Sequence, residues 1–315
     1  WTHGVGLYGM YQYYRQTGDN TMRDTIDGWF TDRFAEGATT KNVNTMAPFL
    51  TLAYRYEETG NPEYLPWLET WAEWAMHEMP RTEHGGMQHI TLAEENHQQM
   101  WDDTLMMTVL PLAKIGKLLN RPEYVEEAVY QFLLHVQNLM DRETGLWFHG
   151  WNFDGRHNFA HARWARGNSW LTIVIPDFLE LVDLPEDSAV RRYLVQVLNA
   201  QIAALATCQD ESGLWHTLLD DPNSYLEASA TAGCAYGILK ALRLRYVDPQ
   251  YVPVAEKAIK AVVQNISPEG ELLQVSFGTG MGSDLEFYRQ IPRTSMPYGQ
   301  AMAMLCLTEY LRKYF

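Results

Sequence analysis

The feature of this sequence that most restricts its fold is a repeat of about 60 to 64 residues. Proline-containing helix-start signals recur at this spacing, at Pro62, Pro122, Pro185 and Pro249. At each of them, an Asn or Asp stands one or two residues before the Pro, which is the order expected at the start of a helix. Self-similarity at a fixed period indicates a repeat architecture.

A second echo recurs at a similar spacing. The segments ETGLW at 143–147 and ESGLW at 211–215 are nearly identical, and weaker copies occur at 83–87 and 269–272. Each echo follows a long helical pattern and begins an extended stretch and a loop that leads into another helix. The predicted unit is therefore helix, tight turn, helix and long loop.

We count eleven predicted helices, the last spanning 297–314. Twelve helices in six hairpins make an (α/α)6 barrel, so we predict an all-α closed ring from which one helix ahead of the chain start is missing. No Pro/Ser-rich linker or break in composition divides the chain, which predicts a single domain over 1–315. The long loops would share one face and lead into inner helices, where we expect the functional site.

Charge and composition exclude several classes of partner. The net charge of −15 argues against nucleic acid and anionic membrane surfaces, and no apolar run reaches membrane-spanning length. The 11 Trp and 18 Tyr suit stacking on sugar rings. Three cysteines in apolar surroundings are typical of reduced thiols. We expect a cytoplasmic bacterial protein, a location that a targeting segment ahead of Trp1 would change.

Two adjacent carboxylates, Asp102 and Asp103, lie between Trp101 and a run of methionines at a predicted helix entry. One interpretation is helix capping, for which a single Asp is enough. The other is an acid in an apolar setting, because loss of solvation raises a carboxylate pKa and makes it a proton donor near neutral pH. The stretch alone leaves both open.

The loops before other inner helices carry further candidates. The richest runs from 148 to 159 and holds His149, His157 and Asp154, which we also weighed as metal ligands although no metal-binding helical spacing supports them. Arg166 opens the next inner helix, where its charge suits a substrate carboxylate or a loop acid. Glu227, a substrate-binding candidate or a capping acid, opens a later inner helix.

The motifs WDDTLMM (101–107), HGWNFDGRHNFA (149–160) and WARGNSW (164–170) resemble those of the unsaturated glycuronyl hydrolases. The resemblance is greatest to the unsaturated rhamnogalacturonyl hydrolases of glycoside hydrolase family 105, with the related family 88. It covers nearly the whole chain, from WTHGVGLYG at 1–9 onward.

This resemblance implies an (α/α)6 barrel that removes an unsaturated uronic acid from the non-reducing end of lyase products. It implies Asp103 as the general acid and base, and a second Asp ahead of the third helix, where this chain has Asn44. Asp154 is the alternative for that second group. The expected substrate-binding residues are Asn44, Trp101, His149, Trp151, Asp154, Trp164, Arg166, Trp170 and Glu227.

The expected partner is a small oligosaccharide bearing a carboxylate, with no metal or organic cofactor; the oligomeric state is left open. Protonation of the C4=C5 double bond followed by hydration needs only one carboxylate acting in turn as acid and base. The sequence is also compatible with two other functions. One is a sugar epimerase that uses His149 and His157 to move protons, and the other is a non-catalytic glycan-binding barrel.

Overall fold

The computed structural model describes residues 1–37 and 39–314, which form eleven long helices. The long helices are α1 (Thr2–Thr17), α2 (Asn20–Glu36), α4 (Phe49–Thr59), α5 (Leu65–Glu73), α6 (Leu110–Leu118), α7 (Pro122–Leu139), α8 (Ala165–Val182), α9 (Ala189–Cys208), α10 (Ala228–Arg243), α11 (Val252–Gln264) and α13 (Pro297–Tyr314). Two short helices, α3 (Val43–Met46) and α12 (Leu285–Arg289), lie in the loops. Five-residue π-turns extend α5 (Trp74–Glu78) and precede α6 (Leu105–Val109).

Six of these helices form the inner ring of the predicted (α/α)6 barrel. Helices α1, α4, α6, α8, α10 and α13 contact one another in that order, and α13 packs against α1 to close the ring. The outer helices α2, α5, α7, α9 and α11 each pack on the inner helix that precedes them. Within the described residues this gives six inner and five outer helices, which is the odd number that the repeat predicted.

Two inner helices, α8 and α10, are buried on every side over most of their length, as expected for helices that face both the barrel interior and an outer helix. Helix α8 is buried along almost its whole length, and α10 is buried from Ala228 to Ala241. Inside the ring, the fully buried Asp177 accepts hydrogen bonds from Tyr8, Tyr236 and Lys240 at 2.6 to 2.8 Å. No helix in 1–37 or 39–314 is long and apolar enough to span a bilayer.

The echoed glycines explain the second repeat signal. Gly145 and Gly213 have φ angles of 85° and 93°, a region that residues with a Cβ rarely adopt. A Cβ on Gly145 would lie 2.6 Å from the carbonyl oxygen of Ala200, and one on Gly213 would lie 2.5 Å from that of Lys257. Each glycine therefore lets a turn lie against the next outer helix.

The proline signals predict the positions of the turns between helices well, but they predict the first residue of each helix less well. Helix α7 begins at Pro122 as predicted, whereas Pro249 lies in a 3₁₀ turn just before α11. Pro62 and Pro185 lie in turns ahead of α5 and α9. At the first of these, the Asn61 side chain accepts a hydrogen bond from the Glu63 backbone and so stabilises a turn before the helix.

Short antiparallel ribbons join the long loops on one face of the barrel. Strand β1 (Gln99–Trp101) pairs with β2 (Gly150–Asn152), β3 (Trp215–His216) with β4 (Leu226–Glu227), and β5 (Val275–Ser276) with β6 (Arg293–Thr294). Single bridges link further loops, as between Trp164 and Leu218. The loops that lead into inner helices are thereby held together around one opening.

Candidate active site

The β1–β2 ribbon places the segment that carries Asp102 and Asp103 beside the loop that carries His149. In the β1–β2 register, Trp101 lies opposite Gly150, and the backbone N–H of Asp102 donates to the carbonyl of His149 at 3.0 Å. Asp103 is the first helical residue after this strand. The pairing therefore fixes Asp103 beside His149, and the Asp103 Oδ2 to His149 Nε2 distance is 3.5 Å.

The helix that follows Asp103 starts with the π-turn Leu105–Val109, in which Met106 and Met107 are buried. A π-turn inside a helix is uncommon and is often found at a functional site. Here it follows directly on the two carboxyl groups and widens the first turns of the inner helix beneath them.

Asp102 and Asp103 form a coupled carboxyl pair. Asp102 is fully buried, and neither of its oxygens has a hydrogen-bond partner among the described groups that would make it a helix cap. It lies against the start of α8, where a Cβ on Gly167 would be 2.1 Å from its Oδ2. The Asp103 side chain is 20% exposed and faces a cavity. Asp103 can therefore reach a ligand, and Asp102 cannot.

The surroundings move the two pKa values apart. Burial raises the pKa of Asp102 well above its ordinary value, and the negative charge of Asp103 raises it further. Burial alone would also raise the pKa of Asp103, but His149 and His89 beside it, together with the neighbouring carboxyl of Asp102, lower it. Like charges this close favour a pair that holds one proton between them. The raised pKa expected for a carboxyl in this apolar setting therefore belongs to Asp102 and not to Asp103.

Two buried histidines flank Trp101. The ring of His89 stacks on Trp101 at 4.1 Å, and its Nδ1 is 2.9 Å from Thr104 Oγ1. Burial lowers the pKa of His89 to about 4, and burial also lowers the pKa of His149. Both rings are accordingly neutral near pH 7, so they contribute hydrogen bonds rather than fixed charge.

Arg166 is almost fully buried and faces the same cavity. Its two terminal nitrogens donate to the carbonyls of Ser276 and Phe277, at 2.9 and 3.2 Å, and to the hydroxyls of Ser276 and Thr279. The guanidinium lies between the rings of Trp164 and Tyr298, at 4.7 and 4.9 Å. All four acceptors are uncharged, so its positive charge is left for a ligand.

Only the Nε–H of Arg166 has no partner among the described groups. A two-pronged hydrogen bond from the guanidinium to a substrate carboxylate is therefore not open to this side chain. It can offer one hydrogen bond and a buried charge, while its fork holds the loop 276–279.

The cavity at the opening has a volume of about 620 Å³. Pockets of roughly 300–1,000 Å³ are typical of small-molecule sites. Five of the predicted residues line it: Asn44, Trp101, Asp103, Trp164 and Arg166. The other lining residues are Trp1, His89, Thr91, Leu92, Ala93, Glu94, Asn96, Gln99, Phe159, Gly278, Thr279, Gly280, Met281 and Ser283.

Three predicted residues lie behind this lining. His149 is 1% exposed and reaches the cavity only through Asp103. Trp170 is fully buried and touches the ring of Trp1 edge-on at 6.0 Å. Trp151 is half-buried and packs on the core, with Phe153 as a ring neighbour at 6.3 Å. These side chains support the walls of the cavity.

Two predicted residues have other partners. Asp154 lies in an exposed turn and pairs with His97 at 3.1 Å, away from the cavity lining, so its position does not support a role as the second carboxylate. Glu227 caps α10: its oxygens accept from the backbones of Ser229, Ala230 and Ser276. The capping interpretation therefore accounts for Glu227, which also holds the Ser276 that binds Arg166.

Within the described chain, one group of side chains has the spacing that a metal ion could bridge. Donor atoms of Asp102, Asp103 and His149 lie within 4.8 Å of one another. The raised pKa of Asp102 and the lowered pKa of His149 also suit these groups to acid–base chemistry. His157, one of the candidate metal ligands from the sequence, is exposed, and its Nδ1 accepts a hydrogen bond from the backbone N–H of Phe159.

Sequence reasoning missed three parts of the site. His89 lies in a loop without helical or strand pattern, and Tyr288 lies on α12, far along the chain from the motifs. The segment GTGMGS at 278–283 also lines the cavity. Its clustered glycines were an available signal, because such runs let the backbone approach a ligand.

Comparisons with known proteins agree with this geometry. The sequence profile of Glycosyl Hydrolase Family 88 matches residues 1–314. The unsaturated rhamnogalacturonyl hydrolase YesR of Bacillus subtilis is 31% identical over 315 residues, which cover 99% of this chain and 89% of YesR.

Solved structures give the same result. A protein of Salmonella enterica serovar Paratyphi A, described as a possible member of the GH105 family, is 87% identical with a TM-score of 0.99, covering 100% of this chain and 83% of that one. A family 105 glycoside hydrolase of C. acetobutylicum shares the fold at 23% identity and a TM-score of 0.87, covering 99% and 93%. The chain belongs to glycosyl hydrolase family 88, with relatives in family 105.

Proposed function

We propose that this glycoside hydrolase releases a 4,5-unsaturated uronic acid from the non-reducing end of lyase-generated oligosaccharides. The observation that carries the proposal is the carboxyl of Asp103, backed by Asp102 and His149, facing a cavity that also contains an arginine with no acidic partner among the described residues. The name of the relative YesR supports unsaturated rhamnogalacturonan fragments as the substrate class.

In the proposed reaction, Asp103 delivers the proton to C4 of the unsaturated sugar. The cation that forms at C5 is stabilised by the ring oxygen. Water then adds to C5 and returns a proton to the ionised Asp103, so that one carboxylate is acid and then base. The resulting hemiketal opens and expels the rest of the sugar chain. Asp102 acts behind Asp103 by keeping a proton within the pair near neutral pH.

The substrate carboxylate is proposed to lie near Arg166. A chain of net charge −15 attracts an anion only where positive charge is local, and Arg166 supplies it in a buried setting. Its free Nε–H offers one charge-assisted hydrogen bond. Trp101 and Trp164 present apolar ring surface to the same cavity, as sugar binding requires.

Consumption of the conjugated double bond tests the proposal. Unsaturated disaccharides from a rhamnogalacturonan lyase and from a glycosaminoglycan lyase would be incubated with the protein, and their ultraviolet absorbance followed. Hydrolysis predicts a falling absorbance and a free sugar product, with Asp103→Asn as the inactive control. An epimerase would change the sugar and keep the double bond, and a binding protein would change neither; both outcomes would contradict the proposal.

We also propose a cytoplasmic location. The support is chemical: Cys208, Cys234 and Cys306 are all free thiols, as is usual in a reducing compartment. Fractionation of cells that express the full-length protein, with immunodetection in each fraction, tests this. Recovery in the periplasm or the medium would refute it.

A further inference from the structure

A buried tyrosine lies behind the carboxyl pair and its histidine. Tyr288, on α12, is fully buried, and its Oη is 2.8 Å from Nδ1 of His149. The opposite nitrogen of the same ring, Nε2, is 3.5 Å from Asp103 Oδ2. Tyr288, His149 and Asp103 therefore form a line of polar groups that ends at the cavity.

The direction of the hydrogen bonds follows from counting protons. The backbone N–H of Gly282 donates to Tyr288 Oη at 3.2 Å, so the phenol keeps its own proton to donate. Two acceptors are near: His149 Nδ1 and, at 3.7 Å, the sulfur of Met281. A thioether is a weak acceptor, and this one is distant, so the phenol proton goes to Nδ1.

The protonation states agree with this direction. Burial raises the pKa of Tyr288 above its ordinary value, and burial lowers the pKa of His149. Both groups are therefore neutral near pH 7. A neutral imidazole has one N–H, and a ring that accepts at Nδ1 must carry its hydrogen on Nε2.

We propose that Tyr288 is a positioning residue that fixes His149 as the Nε2–H tautomer, so that His149 presents a donor to Asp103. The inference rests on the proposed role of Asp103. With a donor facing it, the Asp103 oxygen beside His149 stays unprotonated, and the proton of the pair is kept on the side of Asp102. In the other tautomer, a lone pair on Nε2 would face Asp103 and compete for that proton.

The aromatic rings and the arginine around His149 do not set its tautomer. Trp101 and Trp164 contact the ring through their faces and edges, with centroids 5.4 and 4.3 Å away. Arg166 acts on His149 through its charge, which disfavours the imidazolium without choosing between the two nitrogens. Asp103, 3.5 Å from Nε2, favours a hydrogen on that nitrogen through its negative charge, and the hydroxyl of Tyr288 favours the same tautomer by donating to Nδ1.

The tautomer can be read directly by nitrogen NMR of protein labelled with ¹⁵N in its histidines. The His149 signals are assigned by their loss in His149→Gln, and no substrate is added. In the wild type we expect a protonated Nε2 and an accepting Nδ1. Finding the hydrogen on Nδ1 in the wild type would overturn the inference without any variant.

Tyr288→Phe removes the hydroxyl and keeps the ring. We expect Nδ1–H to become populated in this variant, and kcat to fall by roughly ten- to a hundred-fold with KM changed by less than about threefold, since a wrong tautomer impairs the acid–base step. The matched control is Tyr124→Phe, another buried tyrosine, whose hydroxyl bonds Glu73 on an outer helix. It should change neither the tautomer nor kcat.

A Tyr288→Phe protein that keeps the Nε2–H form refutes the positioning role. A tautomer that shifts as expected in a protein that never consumes the double bond refutes the proposed reaction instead and leaves the tautomer assignment standing. A protein that hydrolyses normally with the shifted tautomer contradicts the link between His149 and Asp103.

Discussion

Replacing each member of the carboxyl pair by asparagine should separate their roles. Asp103→Asn removes the group that faces the cavity and keeps its shape, so we expect the rate to fall at every pH. General acid–base catalysis typically contributes about 10²–10⁴-fold, or roughly 3–5 kcal/mol of barrier. Because the Asp103 side chain is 20% exposed within a solvent-accessible cavity, water can replace part of its function, and we expect the lower half of that range.

Asp102→Asn should act differently, because Asp102 is fully buried and cannot touch the substrate. It removes the group whose raised pKa keeps a proton in the pair. Asp103, whose own pKa is lowered, would then be protonated only at acid pH. We expect the alkaline limb of the pH–rate profile to move to lower pH by about one unit or more, with the maximal rate kept within about tenfold.

Initial rates of absorbance loss, measured from acid to alkaline pH, give both results from one assay. Thermal unfolding is the control: an amide replaces each carboxyl almost isosterically, so we expect changes in unfolding free energy of about 1 kcal/mol or less. Asp103→Asn activity above about a tenth of wild type would make the assignment of the acid wrong. A uniform loss in Asp102→Asn without a shifted limb would contradict the shared proton.

Three other predictions concern groups around the site. Arg166→Lys keeps the positive charge and loses the forked guanidinium, so we expect a raised KM, faster amide hydrogen exchange in residues 276–283 and a loss of about 2–4 kcal/mol in stability. Unchanged exchange would refute the anchoring of that loop by Arg166. Lys240→Met leaves the Asp177 carboxylate buried without the cation that lies 2.6 Å away in the native pair, so calorimetry should show a loss of about 3–5 kcal/mol in unfolding free energy. The double variant Lys240→Met with Asp177→Leu should regain much of that free energy, and equal losses in the two proteins would refute ion pairing as the cause. Activity should persist after treatment with EDTA, because the proposed proton transfers need no metal; a rate that collapses and returns with a divalent ion would show that Asp102, Asp103 and His149 bind one.

The fold was predictable because the same local turn signals, a proline before one helix and a glycine after another, occur in several repeats. Glycines at positive φ, such as Gly145 and Gly213, and prolines such as Pro122 mark turns through backbone chemistry that needs no distant partner. The three-residue strands were not predictable as a pair. Trp101 and Gly150 are almost fifty residues apart, and strands this short have no periodicity of their own.

The site was predictable in part for the same reason. Asp103 and Arg166 stand at helix starts, where the sequence indicates their position at the mouth of the barrel. Asp154 and Glu227 lie in loops that also lead to inner helices, so their local sequence suggested a place in the site. Their actual partners, His97 and the α10 backbone, depend on contacts that the local sequence does not show. The distant contribution of Tyr288 has no local signature, because its role depends entirely on contact with a residue 139 positions earlier.

The π-turn after Asp103 has a consequence for how this site tolerates changes in length. A π-turn spans one residue more than an α-helical turn, so Leu105–Val109 stores an extra residue between the carboxyl pair and the rest of α6. Deleting one residue there would let an ordinary α-helical turn form, and Asp103 and α6 would keep their relative orientation. A single lost codon in this short stretch is thus a change in length that the helix can absorb, whereas the same loss farther along α6 would turn Asp103 by about 100° relative to the residues that follow.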